Sequence, residues 1–222
     1  MISIAIDGPS GAGKSTISRK LAGMYGFVYV DTGALYRAVG LHFLNAGVKA
    51  EETQKIIDGL SNIQIDIKFI DNEQRVFLNG VDVSDKIRTP EVSLMASAVS
   101  AIGKVREFLF DLQQSMAKKH NVIMDGRDIG TVVLPNATLK IFLTASAEER
   151  ARRRYEELIA RGMNVTYEDV LADLKLRDQN DSSREIAPLK PADDAIIVNT
   201  TGNTFERSVT ILSGLISHKL GL

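Results

Sequence analysis

The feature that most constrains the fold of this chain is a glycine-rich segment, G-P-S-G-A-G-K-S, at residues 8–15. It follows the apolar run Ile2 to Ile6, which is typical of a buried strand, and precedes a helical stretch from Ser15 to Ala22. In this G-x-x-x-x-G-K-[ST] pattern, glycines let backbone N–H groups surround phosphates, Lys14 reaches the terminal phosphates, and the Ser15 hydroxyl ligates Mg²⁺. The segment predicts a nucleoside triphosphate site and leaves the reaction open.

We call residues 8–15 the P-loop. The predicted bound species are ATP as co-substrate and Mg²⁺, with Ser15 as the predicted metal ligand. The residues expected to contact the triphosphate are Gly8, Pro9, Ser10, Gly11, Ala12, Gly13, Lys14, Ser15 and Thr16.

Composition narrows the class of acceptor. Lys and Arg total 27 against 28 for Asp and Glu, so no overall basic field attracts nucleic acid, and a small anionic substrate fits better. The length of 222 residues fits a single α/β domain. Cysteine is absent, and we find neither a signal-like start nor an apolar run of about 20 residues. We therefore expect a cytoplasmic protein with no membrane segment and no obligate protein partner.

Short apolar runs separated by helical stretches predict a doubly wound, five-stranded parallel sheet with helices on both faces. Asp7, Asp31 and Asp125 each follow one of these runs, at the edge of the sheet where ligands bind. The five runs are Ile2 to Ile6, Phe27 to Val30, Val122 to Met124, Leu139 to Leu143 and Ala195 to Val198.

The interval between the second and third runs is too long for one crossover helix. Ala34 to Ala46 and Glu51 to Leu60 have helical character, whereas apolar residues alternate with polar ones from Ile63 to Phe69. Turn residues at Asp71 to Gln74 and at Asn79-Gly80 flank a further strand, and Thr89-Pro90 begins another helix. We expect an insertion with a small antiparallel sheet.

An arginine-rich helix follows the fourth run. Ser146 and Glu149 match a capping box, and Arg150, Arg153, Arg154 and Glu157 recur at the spacing of one helix face. A break at residues 161–162 and a second cap at residues 166–169 predict a helix, glycine, helix segment. This is the pattern of a mobile cover, and a solvated charged hairpin is the alternative.

Three further segments place arginines beside predicted turns or strand ends. They are D-T-G-A-L-Y-R at residues 31–37, D-G-R-D-I-G-T at residues 125–131 and R-D-Q-N-D-S-S-R at residues 177–184, the last followed by Ala187-Pro188-Leu189. Taken singly, each arginine fits a surface ion pair. With the P-loop, this combination resembles the bacterial cytidylate kinases, of the nucleoside monophosphate kinase superfamily, from near Met1 to the last helix.

The resemblance implies an acceptor-binding insertion at residues 37–104 and a lid at residues 150–169, within one domain of residues 1–222. It also implies transfer of the γ-phosphoryl group of ATP to CMP or dCMP. Gly103 departs from the pattern, because many relatives have proline there, and this affects the expected rigidity before Arg106. The implied catalytic residues are Lys14, Arg127, Arg153 and Arg184.

The implied acceptor site has three parts. Arg37, Arg127 and Arg184 would hold the acceptor phosphate, with Thr32 nearby. Ser97, Arg106 and Asp128 would read cytosine, and Arg177 and Asp181 would contact the ribose. Asp128 suits the amino group at cytosine C4, and Arg106 suits the ring acceptors. Other roles also fit three residues. Ser97 fits an ordinary helix serine, and Asp128 fits an ion pair with Arg127. Asp125 fits either the orientation of a metal-bound water or an ion pair that fixes Arg127.

Two other functions remain open at this stage. The fold also suits a P-loop kinase for another nucleotide or for a small metabolite. The second alternative is a nucleotide-operated switch or motor, which the sequence disfavours because it lacks the Asn-Lys-x-Asp and Asp-x-x-Gly motifs of GTP switches.

Overall fold

The computed structural model describes residues 1–70 and 73–222, which contain both strands and helices. Single turns of 3₁₀ helix lie at Leu60–Asn62 and Lys86–Arg88, and a π-helical turn lies at Ile129–Val133. The elements in chain order are β1 (Ser3–Asp7), α1 (Lys14–Tyr25), β2 (Val28–Asp31), α2 (Thr32–Asn45), α3 (Thr53–Gly59), β3 (Ile65–Ile70), β4 (Glu73–Leu78), β5 (Val81–Asp82), α4 (Pro90–Val99), α5 (Gly103–Lys119), β6 (Val122–Gly126), β7 (Leu139–Thr144), α6 (Ala147–Ala160), α7 (Tyr167–Ser182), β8 (Ile196–Asn199) and α8 (Phe205–Leu220).

Across residues 1–70 and 73–222, the main sheet has five parallel strands in the order β2-β6-β1-β7-β8, as predicted. The strand ends differ slightly from the apolar runs. Asp7, Asp31 and Asp125 are strand residues, because the parallel hydrogen bonding continues beyond the last apolar residue. Asp31 lies opposite Asp125 in the β2–β6 register, so the chain brings two carboxylates to the same end of the sheet.

Helices cover both faces of this sheet. On one face, Ile4 and Ile6 of β1 pack with Leu21 of α1 and Leu212 of α8, and all four side chains are fully buried. On the other face, Ala5 packs in a second cluster that includes side chains of β6 and α5. Full burial of an aliphatic side chain is worth about 1.5–3 kcal/mol, so this two-sided core fixes the sheet on which the site is built.

The insertion has its own core and the expected antiparallel sheet. In the described residues this sheet has the order β3-β4-β5, with the tight turn at Asn79-Gly80. The turn predicted at Asp71 to Gln74 falls partly on residues 71–72, which lie outside the described residues. Thr89 caps α4 by accepting a hydrogen bond from the Val92 N–H. The core of the insertion runs from Ala34 to Leu109, because the start of α5 packs with α2 and α4.

Helices α6 and α7 form a hairpin with a separate small apolar cluster. The Ser146 hydroxyl caps α6 at the Glu149 N–H, 3.2 Å away. The predicted capping box is only half formed, because the Ser146 N–H donates to Thr201 and the Glu149 carboxylate pairs with Arg152 and Arg153. The hairpin extends to Ser182, well beyond residues 150–169.

Within residues 1–70 and 73–222, no helix has both the length and the apolar character needed to span a membrane.

Candidate active site

The backbone of the P-loop requires glycine at Gly8 and Gly13. Gly8 has φ of 146°, and a Cβ there would collide with the carbonyl oxygen of Leu143 on β7. Gly13 has φ of 89° and is the N-cap of α1. The first N–H groups of α1 therefore point toward the loop, and together with the helix dipole they favour a bound anion.

Lys14 is buried and is the first residue of α1, directly after Gly13. Its ammonium donates hydrogen bonds to the carbonyl oxygens of Gly8, at 2.7 Å, and Pro9, at 2.8 Å. Burial and the nearby charge of Arg127 lower the pKa of Lys14, so an anionic partner would stabilise its charged form. Gly8 and Pro9 differ from the prediction, because they hold Lys14 and do not line the cavity that the other P-loop residues line.

Ser15 and Asp125 form an oxygen-rich pair beside Lys14. The Ser15 hydroxyl donates to Asp125 Oδ2 at 2.8 Å, and the Tyr29 hydroxyl donates to Asp125 Oδ1 at 3.2 Å. Burial, with the nearby carboxylate of Asp31, raises the pKa of Asp125. Mg²⁺ prefers oxygen ligands and usually takes only one or two from the protein, with phosphates and waters completing its shell, so this pair fits the metal.

The Asp125 carboxylate therefore engages Ser15 and Tyr29, and this differs from the alternative in which it fixes Arg127. Its backbone carbonyl also accepts a hydrogen bond from the Thr32 hydroxyl at 2.8 Å. That bond places Thr32, the first residue of α2, against the end of β6.

Two of the predicted phosphate-binding arginines share one buried carboxylate. Arg127 Nε donates to Asp181 Oδ2 at 2.9 Å, and Arg184 donates to Asp181 Oδ1. Although burial alone would raise it, these guanidinium groups hold the pKa of Asp181 below its usual value. Asp181 therefore stays charged and keeps both arginines on one side of the cavity.

The third predicted phosphate-binding arginine is held from the other side. Arg37 donates to Asp31 Oδ2 at 2.8 Å, and Asp31 also caps α2 by accepting from the Ala34 N–H at 2.9 Å. Burial favours the neutral carboxyl, yet Arg37 and Arg88 lower the pKa of Asp31. A strand end, a helix cap and an ion pair thus fix Arg37 together.

The predicted base-reading residues lie next to one another. Arg106 donates to Asp128 and to the Ser100 carbonyl oxygen, and its guanidinium stacks 5.6 Å from the centre of the Tyr36 ring. The alternative in which Asp128 pairs with Arg127 is wrong in this structure, since Asp128 pairs with Arg106. The Ser97 hydroxyl lies 3.5 Å from Asp181 Oδ1, on the cavity side of α4.

Arg177 differs from the other predicted acceptor-binding arginines, because no carboxylate balances its charge through an ion pair in the described residues. Among the described residues it makes no ion pair, and its buried Nε has no hydrogen-bond partner. Burial, with the positive charge of Arg127, lowers the pKa of Arg177 to about 10. A buried donor without a hydrogen-bond partner is costly, so the unpartnered Nε favours an anionic or strongly accepting ligand at this position.

The predicted arginine face of α6 divides into two parts. Arg153 and Arg154 line the cavity, and Arg153 donates to the Thr200 carbonyl oxygen at 2.9 Å. Arg150 is buried behind the P-loop and does not line the cavity. Its turn of the helix packs against the tip of the P-loop at Gly11, so residues three apart on α6 face different surroundings.

Most of these groups border one cavity of about 1430 Å³, whose lining comes from the P-loop, the insertion and the helix hairpin. This volume exceeds the range of about 300–1,000 Å³ that is usual for a single small ligand. The predicted site residues on its wall are Ser10, Gly11, Ala12, Gly13, Lys14, Ser15, Thr16, Thr32, Arg37, Ser97, Arg106, Arg127, Asp128, Arg153, Arg177, Asp181 and Arg184.

Part of the cavity wall consists of residues that were not predicted from the sequence. Asn203, Thr204 and Phe205, which follow β8 and begin α8, line the same cavity near Arg153. Tyr36 lines it beside Arg106, and Gln74 of β4 clamps the Asp31 backbone through two hydrogen bonds. The loop after β8 could have been found, because it follows a predicted strand run in sequence as Asp7 and Asp125 do, whereas the Gln74 clamp has no local sequence signal.

Comparison with known proteins gives a consistent result. A family model described as cytidylate kinase matches residues 4–217. The chain is 56% identical over 205 residues to a cytidylate kinase of Caldicellulosiruptor bescii, covering 92% of this chain and 91% of the relative. It is 51% identical to one of Carboxydothermus hydrogenoformans, covering 97% of each chain, and 46% identical to one of Lactobacillus johnsonii, covering 99% of this chain and 95% of the relative.

Among solved structures, an uncharacterized protein from Eubacterium ventriosum matches with a TM-score of 0.54 at 11% identity, covering 98% of this chain and 99% of that one. At this identity the match concerns the fold alone.

Proposed function

The chain belongs to the cytidylate kinase family, and from that premise we propose how its cavity performs the reaction. It is an ATP-dependent nucleoside monophosphate kinase that transfers the γ-phosphoryl group of ATP to CMP, giving CDP and ADP. We extend the acceptor to dCMP. The observation that carries the mechanism is that the P-loop lysine and arginines from three separate segments line one cavity.

The triphosphate of ATP binds the P-loop. Backbone N–H groups of residues 10–13 and the start of α1 surround its phosphates, and Lys14 leaves the carbonyl oxygens of Gly8 and Pro9 to contact the β- and γ-phosphates. The nucleoside end extends toward Arg153 and the loop at residues 203–205.

Mg²⁺ would be held by Ser15, with Asp125 directly or through a bound water, and when bound it neutralises charge on the β- and γ-phosphate oxygens. Asp125 keeps the Ser15 hydroxyl oriented for this role.

CMP binds opposite the P-loop, with its phosphate between Arg37, Arg127 and Arg184. Asp31 and Asp181 hold these guanidinium groups in place, so little reorganisation is needed when the phosphate arrives. Arg177 and Asp181 contact the ribose from α7. A neutral alcohol would leave this group of arginines without an anion, and this argues against a metabolite kinase of that kind.

In the chemical step, an oxygen of the CMP phosphate attacks the γ-phosphorus in line. The new O–P bond forms as the bond from the γ-phosphorus to the β-γ bridging oxygen of ATP breaks, and the electron pair leaves with ADP. The attacking oxygen is already an anion, so the step needs no general base. Lys14, Arg127 and Arg184, with Arg153 from the lid, stabilise the charge on the transferred group.

Residues 150–169 act as a lid over the donor side. Closure would exclude water and favour transfer to CMP over hydrolysis of ATP. The part of α6 that carries Arg153 already contacts Thr200, so we place the moving segment beyond this contact.

The base is read by Asp128, Arg106 and Ser97. Asp128 accepts from the cytosine amino group, and the Arg106 guanidinium donates to the ring acceptors. The Asp128–Arg106 ion pair fixes the donor and the acceptor relative to each other. Uracil presents a carbonyl oxygen in place of the amino group and would leave Asp128 facing another acceptor.

An acceptor panel tests this assignment. With saturating ATP and Mg²⁺, we expect the protein to phosphorylate CMP and dCMP far faster than UMP or AMP. Asp128→Asn should lower kcat/KM for CMP about 10- to 100-fold, the size of a lost hydrogen bond to a charged group, and should reduce the ratio of CMP to UMP turnover. Faster turnover of UMP or AMP than of CMP by the unmodified protein would show that the base assignment is wrong.

ATP and nucleoside monophosphates are metabolites of the cytoplasm, so we propose that the protein works there. We further propose that the reaction requires no nucleic acid, membrane or obligate protein partner, which the acceptor panel with the purified chain also tests.

A further inference from the structure

Arg150 is a cation of the arginine-rich helix that the reaction scheme does not use. It is 5% exposed and turned away from the cavity. Its guanidinium donates three hydrogen bonds, from Nε to the Ala145 carbonyl oxygen at 2.9 Å, from Nη1 to the Ser10 carbonyl oxygen at 2.9 Å, and from Nη2 to Asp178 Oδ2 at 2.6 Å. Such a fork uses the planar geometry of arginine, which a lysine ammonium cannot reproduce.

The backbone of Arg150 also supports the P-loop. A Cβ at Gly11 would lie 3.1 Å from Arg150 Cβ and 3.2 Å from the Arg150 carbonyl oxygen. The tip of the P-loop is therefore in close contact with the first turns of α6, and the Ser10 carbonyl is held by the guanidinium of the same residue.

Asp178 supplies the other end of this connection. It lies on α7 between Arg177 and Asp181, both of which border the cavity, but it faces Arg150 instead. Asp178 Oδ1 is buried without a hydrogen-bond partner, so the pair with Arg150 is the contact that compensates this carboxylate. The motif R-D-x-x-D-S-x-R thus contains an aspartate that the substrate assignments leave without a role.

We propose that Arg150 and Asp178 are positioning residues that fix the tip of the P-loop relative to α7, and so set the distance between the donor phosphates and the acceptor side. The proposal rests on the proposed function, because it gives the P-loop to ATP and α7 to CMP. The two substrates would still bind separately without this pair, but the attacking oxygen and the γ-phosphorus would no longer be aligned. A misplacement of about 1 Å between reacting groups costs on the order of 100-fold in rate.

The first experiment compares Asp178→Asn and Arg150→Lys with the unmodified protein. For each we would measure kcat with both substrates saturating, and the separate dissociation constants of ATP and CMP by calorimetry. We expect kcat per folded molecule to fall at least about 10-fold in both variants while each dissociation constant stays within about threefold. A purely structural pair would change the amount of folded protein but not kcat per folded molecule.

Lys175→Met is the matched control. Lys175 lies 3.7 Å from Glu148 and also connects α7 with α6, but this pair is exposed and does not contact the P-loop. We expect wild-type kcat for this variant. Equal losses of kcat in Lys175→Met and Asp178→Asn would overturn the proposal, because any contact between α6 and α7 would then be enough to affect the rate.

The double variant Arg150→Met with Asp178→Asn covers the case in which a single variant folds poorly. Removing both charges leaves no uncompensated buried ion, so the midpoint of chemical unfolding should recover toward that of the unmodified protein while kcat stays low. Recovery of kcat together with stability, or wild-type kcat in Asp178→Asn, contradicts the positioning role. Absence of CMP phosphorylation by the unmodified protein would instead contradict the proposed function itself.

Discussion

At the scale of single residues, the site is organised by carboxylates that hold cations. Asp181 keeps Arg127 and Arg184 together, Asp31 keeps Arg37, and Asp128 keeps Arg106. The identities of these arginines could be inferred from their motifs, but the pairing of Arg127 with Asp181 could not, because these two residues are 54 positions apart in sequence. The ion pairs explain why the cations stay close together before an anion arrives.

Asp7 shows how burial and hydrogen bonding compete at one residue. Its carboxylate accepts from the Ile129 N–H at 2.8 Å and the Gly130 N–H at 2.7 Å, and so fixes the π-helical turn after Asp128. These bonds favour the charged form, but burial outweighs them and raises the pKa of Asp7 to about 6.

A pH-dependent stability follows from this shift. The folded state binds the Asp7 proton more tightly than the unfolded state, so this group's contribution to the free energy of unfolding falls as the pH rises from about 4 to about 6. By linkage the change is at most about 3 kcal/mol. The stability of the unmodified protein relative to Asp7→Asn should therefore decrease over this interval in denaturant titrations. A difference that is constant between pH 4 and pH 7 would contradict the assigned cause.

At the scale of elements, local sequence patterns predicted where the strands and helix caps lie better than they predicted which way helix side chains face. The five strand runs, the Thr89 cap and the Ser146 cap are all present, with ends moved by one or two residues where hydrogen bonding continues past the apolar pattern. Spacing placed Arg150 and Arg153 on one helix face. The structure separates them, because the choice between cavity and core depends on how α6 packs against the P-loop, which no local pattern contains.

Gly103 provides a test at this scale. It is the first residue of α5, and the preceding Ile102 has φ of −85° and ψ of 116°, an extended conformation that proline tolerates before it. A Cβ at this position would meet only Ile186 Cδ1, at 3.1 Å, which is the end of a flexible side chain. Gly103→Pro should therefore raise the free energy of unfolding by about 0.4–1 kcal/mol, by restricting the unfolded chain.

Denaturant titration of Gly103→Pro beside Gly103→Ala would check this. The alanine variant adds the same Cβ without the ring, so it isolates the contact with Ile186. If the proline variant is less stable than the alanine variant, the start of α5 is not the unstrained helix position that its dihedral angles indicate.

At the scale of the whole molecule, function depends on a sheet that brings remote segments to one end. The P-loop follows β1, Thr32 and Arg37 follow β2, and Arg127 follows β6, so the order β2-β6-β1 sets them side by side. The alternation of strands and helices predicted the main sheet, and the long interval between the second and third apolar runs predicted the insertion. The cavity between three parts of the chain required the structure, because its shape depends on how the insertion and the α6–α7 hairpin lie against the sheet.

The most direct test of the account is a calorimetric titration of CMP into the folded protein and into Arg127→Met. We expect one CMP per chain, and an affinity at least about 10-fold lower in the variant, the size of a lost charged hydrogen bond to phosphate. As a control, retained binding of a non-hydrolysable ATP analogue by Arg127→Met would show that the variant keeps its fold. No uptake of CMP by the unmodified protein, or equal affinities in the two proteins, would contradict the claim that these arginines hold the acceptor phosphate.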